Sequence, residues 1–403
     1  MIHVFINALS ASAGAGLTYV RNVLPILARR ADVRTTLLVG EALRGEIAES
    51  PNITVLSESY PPGTGARFWY EQRALPGLIR SSGADLLLST GNFAVFRSPV
   101  PQILLSGNSL YISADFLRDL RQRRDHRLWI DTKVKGWFAR WSVRAADCTV
   151  APTEAFAGDL QKWTGKDVVC VHHGFDHETF FRETVALPSD VQTRLAATEG
   201  ALRILFVSHY NYYRNFETLI RAIAILKKKL YPRTVRLLLT CKLVSKENPG
   251  SYHAETASEL VRDLKLRDEV VELGTVPYAA LHQLYRSCQV YATAAYAETF
   301  AHPLVEAMAS GLPVIASDLT VHREVCGEAA LYFPRFSPEA LAEQITRLAE
   351  SDQTRAAMCT AGLSRSQDFS WDKHVQALLQ LALFSSKRGN RNPDGSAKPE
   401  PKR

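Results

Sequence analysis

Short apolar runs alternate with amphipathic segments along almost the whole chain, and this alternation restricts the fold more than any other feature. IHVFINAL, RTTLLVG, DLLLST, PQILLS, CTVAP and DVVCVHHG read as buried strands in the first half, and RILFVS, VRLLLTC, VVELG, QVYATAA and PVIASD in the second. Between them, FETLIRAIAILKKKL and AALHQLYRS carry apolar residues at helical spacing. A strand that is apolar throughout needs cover on both faces, so repeated strand-then-helix units imply parallel sheets flanked by helices, an α/β class. At 403 residues the chain exceeds the usual size of one hydrophobic core, which implies two domains. The strand pattern stops at HGFDHETFFRETVALPSD and resumes at Arg203. The expected division is therefore a domain over 1–180, a second over 181–370, a helix over 371–384 that packs back on the first domain through Trp371, and a tail over 385–403. In doubly wound sheets ligands bind beyond the carboxyl ends of the strands, and the cleft between two such domains is the expected site.

Composition narrows the function classes. The chain is 46% hydrophobic and 22% charged, with no run near the ~20 apolar residues that cross a bilayer. MIHVFINALSASAGAGLTYV reads as a first strand and its loop rather than a signal peptide. The six cysteines lie far apart with no CxxC pair, which fits reduced buried thiols and a cytoplasmic setting. Of the net charge of +7, SSKRGNRNPDGSAKPEPKR supplies +4, six cations less two acids, and its composition fits a disordered basic tail. The remainder is only mildly basic, so a nucleic-acid partner is not expected.

One stretch concentrates chemistry. In AETFAHPLVEAMASGLPVIASD, residues 297–318, Glu298 and Glu306 lie eight positions apart with Pro303 between them. The strand should end near Ala295, Pro303 suits the first helical position, and Gly311 should stop the helix. Glu298 then sits in the loop at the strand's end and Glu306 one turn into the helix. Amides at the helix start, from Phe300 to Leu304, suit an anion such as phosphate. Carboxylates accept hydrogen bonds from paired hydroxyls, as on a sugar or a ribose. Phosphate between two hydroxyl-rich rings describes a nucleotide sugar.

These residues resemble the signature of the retaining family 4 glycosyltransferases (glycosyl transferases group 1), whose GT-B fold sets two Rossmann-like doubly wound domains face to face across a cleft. The likeness extends to ILFVSHYNYYRNFETLIRA, VAPTEAFAGDLQKWTG, VHHGFDHETF, HREVCGEAALYFPRFSPEALAEQI and QDFSWDKHVQALL. The resemblance implies a hexosyltransferase that moves a sugar from a nucleotide-diphosphate donor to a glycan or lipid-linked glycan, with no cofactor and no metal. By position, Glu298 would bond the donor sugar and Glu306 the ribose. Phe300, Ala301, His302 and Leu304 would line the sugar and diphosphate. Arg214 stands where the family usually has a diphosphate-binding Lys and keeps the charge in a bidentate fork; His209 falls near the other basic phosphate ligand. ASAGAGLTYV, with Gly14 and Gly16, resembles the glycine loop that approaches donor and acceptor.

The chain also departs from that pattern. Ala301 occupies a position where the family often has glycine, and Asn108 one where a histidine is common. Asn cannot act as a base at neutral pH, so either another group does, or the leaving phosphate takes the acceptor's proton during same-face attack. No DxD triplet supports a metal-bridged diphosphate. Two alternatives stay open: an epimerase-like enzyme of the same architecture, and a non-catalytic sugar-nucleotide binder. The segment 118–144 has nine Lys or Arg, three acids, and Trp129, Trp137 and Trp141. It reads either as a helix whose tryptophans form a buried stripe, or as a peripheral contact with the inner face of the cell membrane.

Overall fold

The computed structural model describes residues 1–11, 15–47, 50–60, 63–182, 184–250 and 252–389; Gly14 and most of the basic tail lie outside them. Two sheets form, and every ladder in them is parallel. The first holds β1 (Ile2–Asn7), β2 (Val33–Gly40), β3 (Ile53–Glu58), β4 (Leu86–Ser89), β5 (Gln102–Leu105), β6 (Cys148–Ala151) and β7 (Val169–Cys170), in the order β3-β2-β1-β4-β5-β6-β7. The second holds β8 (Leu202–Phe206), β9 (Val235–Leu239), β10 (Val270–Glu272), β11 (Val290–Thr293), β12 (Val314–Ser317) and β13 (Ala330–Phe333), in the order β10-β9-β8-β11-β12-β13. Each sheet thus grows outward from its first strand in one direction and then restarts on the other side, the doubly wound arrangement. The sequence reading passed over β3 and β13. Both are edge strands.

The two sheets belong to two compact units. One comprises Met1–Ile112, Asp131–Gly174 and Ser370–Arg403, the other Ser113–Ile130 and Phe175–Phe369. This corrects the expected boundaries, since the first unit stops at Gly174 rather than 180 and residues 113–130 belong with the second. The physical reason for the latter is a set of polar contacts made by α3 (Ala114–Gln122) and the residues that follow it. Arg123 pairs with Glu217 at 3.0 Å and lies over the Tyr212 ring, the Tyr296 hydroxyl donates to Asp119 at 2.6 Å, and Arg335 Nε donates to Asp115 at 2.8 Å.

In the first unit α1 (Ala15–Ala28) covers the sheet, and the helix Trp371–Gly389 packs on it. Val4 and Ile6 of β1, Val23 and Leu27 of α1, and Trp371, Val375 and Leu378 form one apolar cluster. Tyr19, His173, Trp371 and His374 surround one another at the edge of this cluster, and His374 Nδ1 lies 2.8 Å from the His172 carbonyl. Cys241, Cys288 and Cys326 are buried, as the spacing suggested, whereas Cys148, Cys170 and Cys359 are partly exposed. Among the described residues no helix is long and apolar enough to cross a membrane.

Gly174 closes the first unit beside the start of its last helix. A Cβ at this position would lie 2.0 Å from the Trp371 nitrogen and 2.5 Å from the Ser370 carbonyl carbon, and backbone cannot yield as a flexible side chain does. Gly174→Ala is expected to cost ~3 kcal/mol or more in denaturant unfolding, the size of an overpacked core site. A loss within ~0.5 kcal/mol would show that the two segments separate easily.

Candidate functional site

In an open parallel sheet the ligand crevice opens where neighbouring strands send their connections to opposite faces. In the second sheet this is between β8 and β11, paired through Val290 with Ile204 and Tyr291 with Leu205. The loop after β8 carries His209 and Arg214, and the loop after β11 carries Glu298. The Tyr296 amide ties the two by donating to the Tyr213 carbonyl at 2.9 Å. Asn215 holds a left-handed backbone, φ 55° and ψ 53°, which asparagine tolerates better than most residues. Its Nδ2 donates to the carbonyls of Ala294 (3.1 Å) and Arg335 (2.7 Å), while Oδ1 accepts from the Thr218 hydroxyl at 2.9 Å. The loops after β8, β11 and β13 therefore converge on one side chain.

On this frame Arg214 and Glu298, 84 positions apart in the chain, form an ion pair with side chains only 19% and 10% exposed. Burial disfavours the Arg214 charge, but the Glu298 carboxylate outweighs that and raises the guanidinium above its ordinary value. The Nε of Arg214 is buried without a hydrogen-bond partner. His209 is exposed beside it, and partial desolvation together with the Arg214 charge lowers its imidazole below the usual value, which leaves it neutral at pH 7.

The helix His302–Ala309 follows, with Pro303 at its second position rather than the expected first. Phe300, Ala301 and Leu304 have buried side chains, so whatever they offer a ligand comes from backbone. Leu304 is a correction: its amide donates to the Ala301 carbonyl at 2.9 Å, and Pro303 has no amide hydrogen, so neither adds a donor to the expected anion site. Ala301 sits at φ 66° and ψ 65°, a region where Cβ is crowded. That explains a preference for glycine there. Glu306 is 5% exposed and its carboxylate accepts from the Tyr285 hydroxyl at 2.8 Å. Burial pushes its pKa up to about 7, with the Tyr285 bond pulling the other way.

Sequence reasoning missed His322, on the short helix after β12. It is fully buried, its Nδ1 lies 2.8 Å from the Ser317 carbonyl, and its Nε2 has no hydrogen-bond partner. Burial lowers its pKa, while the Glu298 charge acts in the opposite sense. The Nδ1 contact to a carbonyl requires a hydrogen there, so Nε2 is an unused acceptor, as Arg214 Nε is an unused donor. No spacing rule marks His322: its ring bonds Ser317, at the end of the strand just before its helix, and its free Nε2 follows from burial that the sequence does not show.

The first unit has the corresponding point between β1 and β4. Gly16 lies at the start of α1, where a Cβ would stand 3.2 Å from the Ala11 Cα, so the glycine lets Ala11 pack closely on the helix. Asn108 caps a short turn, its Oδ1 accepting from the Leu110 amide at 3.0 Å. Glu71 of α2 (Thr64–Ser82), also unforeseen, is buried 3.4 Å from Arg67 and pushed up to about 7 by burial.

The architecture is that of the GT-B glycosyltransferase structures. Residues 191–365, which carry Arg214, Glu298, Glu306 and His322, match the family model described as Glycosyl transferases group 1. Among curated proteins the chain is 30% identical over 252 residues to the D-inositol 3-phosphate glycosyltransferase of Kineococcus radiotolerans, covering 59% of this chain and 57% of that one. It is 32% identical over 100 residues to the O-antigen chain mannosyltransferase B of Escherichia coli, 25% of this chain and 26% of the other. The chain thus spans less than two thirds of the length of the curated relatives it matches. Among solved structures, the sucrose-phosphate synthase of Thermosynechococcus elongatus superposes with a TM-score of 0.75 at 19% identity, over 96% of this chain and 100% of that one. Anabaena HepE in complex with UDP-glucose does so at 0.69 and 18%, over 95% and 100%.

Two measurements check this geometry. Ala301→Gly relieves the left-handed strain and should stabilise the fold by ~0.5–1 kcal/mol in urea unfolding. Glu306 has a folded pKa of about 7 against an ordinary 4.5, so the folded state retains a proton that the unfolded chain releases. Stability from this group is full below pH 4.5 and falls as pH rises through the folded value. Glu306→Gln keeps an acceptor for Tyr285 without that titration, so its advantage over the parent should grow between pH 4.5 and 7, by up to ~3 kcal/mol, and level off above. A difference independent of pH would mean that the carboxylate titrates in the folded protein as it does in the unfolded chain.

Proposed function

We propose that the protein is a retaining hexosyltransferase that uses a nucleotide-diphosphate sugar and transfers the sugar to a glycan or lipid-linked glycan. The observation that carries this reading is the Arg214–Glu298 pair at the switch point of the second sheet, one loop before a helix whose buried Glu306 lies eight residues on. The group 1 match over these residues supports it, as do relatives named for glycosyl and mannosyl transfer and a structural neighbour solved with UDP-glucose.

In this reading the Glu306 carboxylate accepts from the ribose hydroxyls and Glu298 from hydroxyls of the donor sugar. Arg214, freed from Glu298 as the sugar arrives, turns its unused Nε and its terminal nitrogens to the diphosphate. The amides of Phe300, Ala301 and His302 add neutral donors to the same anion. This charge is supplied by the protein, so the proposal includes no metal. The bond between the sugar's anomeric carbon and the phosphate oxygen breaks while the acceptor oxygen bonds to that carbon on the same face. The leaving phosphate oxygen takes the acceptor's proton. Asn108 is then a positioning group near the acceptor, because its oxygen is held by a backbone amide and an amide side chain does not titrate. Gly16 allows close backbone approach in the first unit.

The test is a thermal-shift panel of UDP-, GDP- and ADP-sugars followed by nucleoside diphosphate release with and without glycan acceptors. One nucleotide series should raise the parent's midpoint by mass action. Arg214→Ala should weaken that series by ~10–100-fold, the loss of a charged hydrogen bond. Binding without turnover against every acceptor would favour the non-catalytic reading, and no shift with any nucleotide would overturn both.

A further inference from the structure

The helix α4 (His126–Ala145) presents its faces the wrong way round for a core helix. Its buried residues are small or slender: Thr132, Gly136, Ala139, Ser142 and Val143. A Cβ at Gly136 would touch the Tyr111 carbonyl oxygen at 3.5 Å, so the inner face fits closely against its neighbour. The bulky apolar residues Ile130, Val134, Trp137 and Trp141 are each half exposed or more. They stand at i, i+4, i+7 and i+11, a single stripe along the outer face. This overturns the expectation of tryptophans in a buried stripe.

The stripe is part of a larger patch. Trp137 and Trp141 lie 4.8 Å apart, Phe96 meets Trp141 at 6.3 Å, and Phe68 links Phe96, Phe138 and the exposed Trp69 at 6.0, 4.9 and 5.7 Å. Exposed cations flank these rings: Arg73, whose guanidinium lies over Trp69, Arg97 next to Phe96, and Lys133 and Arg144 on α4. The one carboxylate of α4, Asp131, pairs with Lys135 at 2.7 Å. Several exposed rings rimmed by charge of one sign exceed the scattered apolar exposure of an ordinary surface.

We propose that this face docks on an anionic lipid surface, with the indoles at the boundary between headgroups and acyl chains and the Arg and Lys side chains over the headgroups. Charge decides between occupants. A second copy meeting the first through the same face would set this cationic rim against its own image, whereas anionic headgroups complement it. The inference stands apart from the donor chemistry, since the patch belongs to the first unit and α4, and the donor groups to the second.

The full chain is sedimented with vesicles of equal parts phosphatidylglycerol and phosphatidylcholine, and with phosphatidylcholine alone. The expected result is binding to the anionic vesicles at low salt that weakens strongly at ~0.5 M salt, with little binding to the neutral ones. Lys133→Glu with Arg97→Glu should lower the partition by about tenfold or more. Trp137→Ser with Trp141→Ser should abolish it, while far-ultraviolet circular dichroism stays that of the parent. Failure of the parent to sediment with anionic vesicles overturns the proposal, and so does undiminished binding by both variants. Light scattering that finds a parent dimer dissolved by the tryptophan variant would assign the face to a second copy instead.

Discussion

One buried amide, the Asn215 side chain, fastens the carboxyl edge of the second sheet. A parallel sheet leaves its loops dangling from strand ends, and each would sample many positions if nothing cross-linked them. Here Asn215 bonds the loop after β11 and the loop after β13 from the loop after β8, and its left-handed backbone is what aims the side chain between them. Arg335, whose carbonyl takes one of these bonds, passes its side chain on to Asp115, and Tyr296 reaches Asp119. The Arg214–Glu298 pair stands in the middle of this fastened edge, so its geometry is set before any ligand arrives.

That preset geometry has an electrostatic cost and a use. Holding two partly buried charges together forfeits hydration on both, and the attraction between them offsets the loss only in part. A ligand that brings both an anion for Arg214 and hydroxyls for Glu298 replaces one pair by two better-satisfied ones. A ligand with only one of these leaves a charge behind without its partner. In the proposed function, selectivity for a molecule carrying phosphate and hydroxyls a few ångströms apart would follow from the pair, and Glu306 would read a further set of hydroxyls.

Much of this was legible in the sequence because local pattern and local position coincide. The central strands are apolar on both faces and stand out, whereas β3 and β13 are only partly buried along their length, so no continuous apolar run marks them. Glu298 and Glu306 were placed correctly on loop and helix, since proline and glycine punctuate that turn. The capture of residues 113–130 by the second unit depended on contacts remote in sequence and so was not readable, whereas the unpartnered Nε2 of His322 and the loss of the Leu304 amide turn on side-chain burial and on one local turn bond that residue pattern does not report. The orientation of α4 stayed open between two readings for another reason. Helical spacing shows that Trp137 and Trp141 share a face, but not which face the rest of the protein leaves uncovered.

The helix Trp371–Gly389 shares an apolar cluster with β1 and α1, at the opposite end of the chain. During synthesis the first sheet is complete once β7 has emerged, yet Val23 and Leu27 of α1 lack Val375 and Leu378 until about 200 further residues have been added, on the order of 10–40 s at ordinary elongation rates. The segment 113–130 waits in the same way for Glu217, Tyr296 and Arg335. The first unit cannot finish folding until the second has been synthesised, because its last helix follows Phe369 in the chain, so the ribosome delivers the two interleaved rather than one after the other.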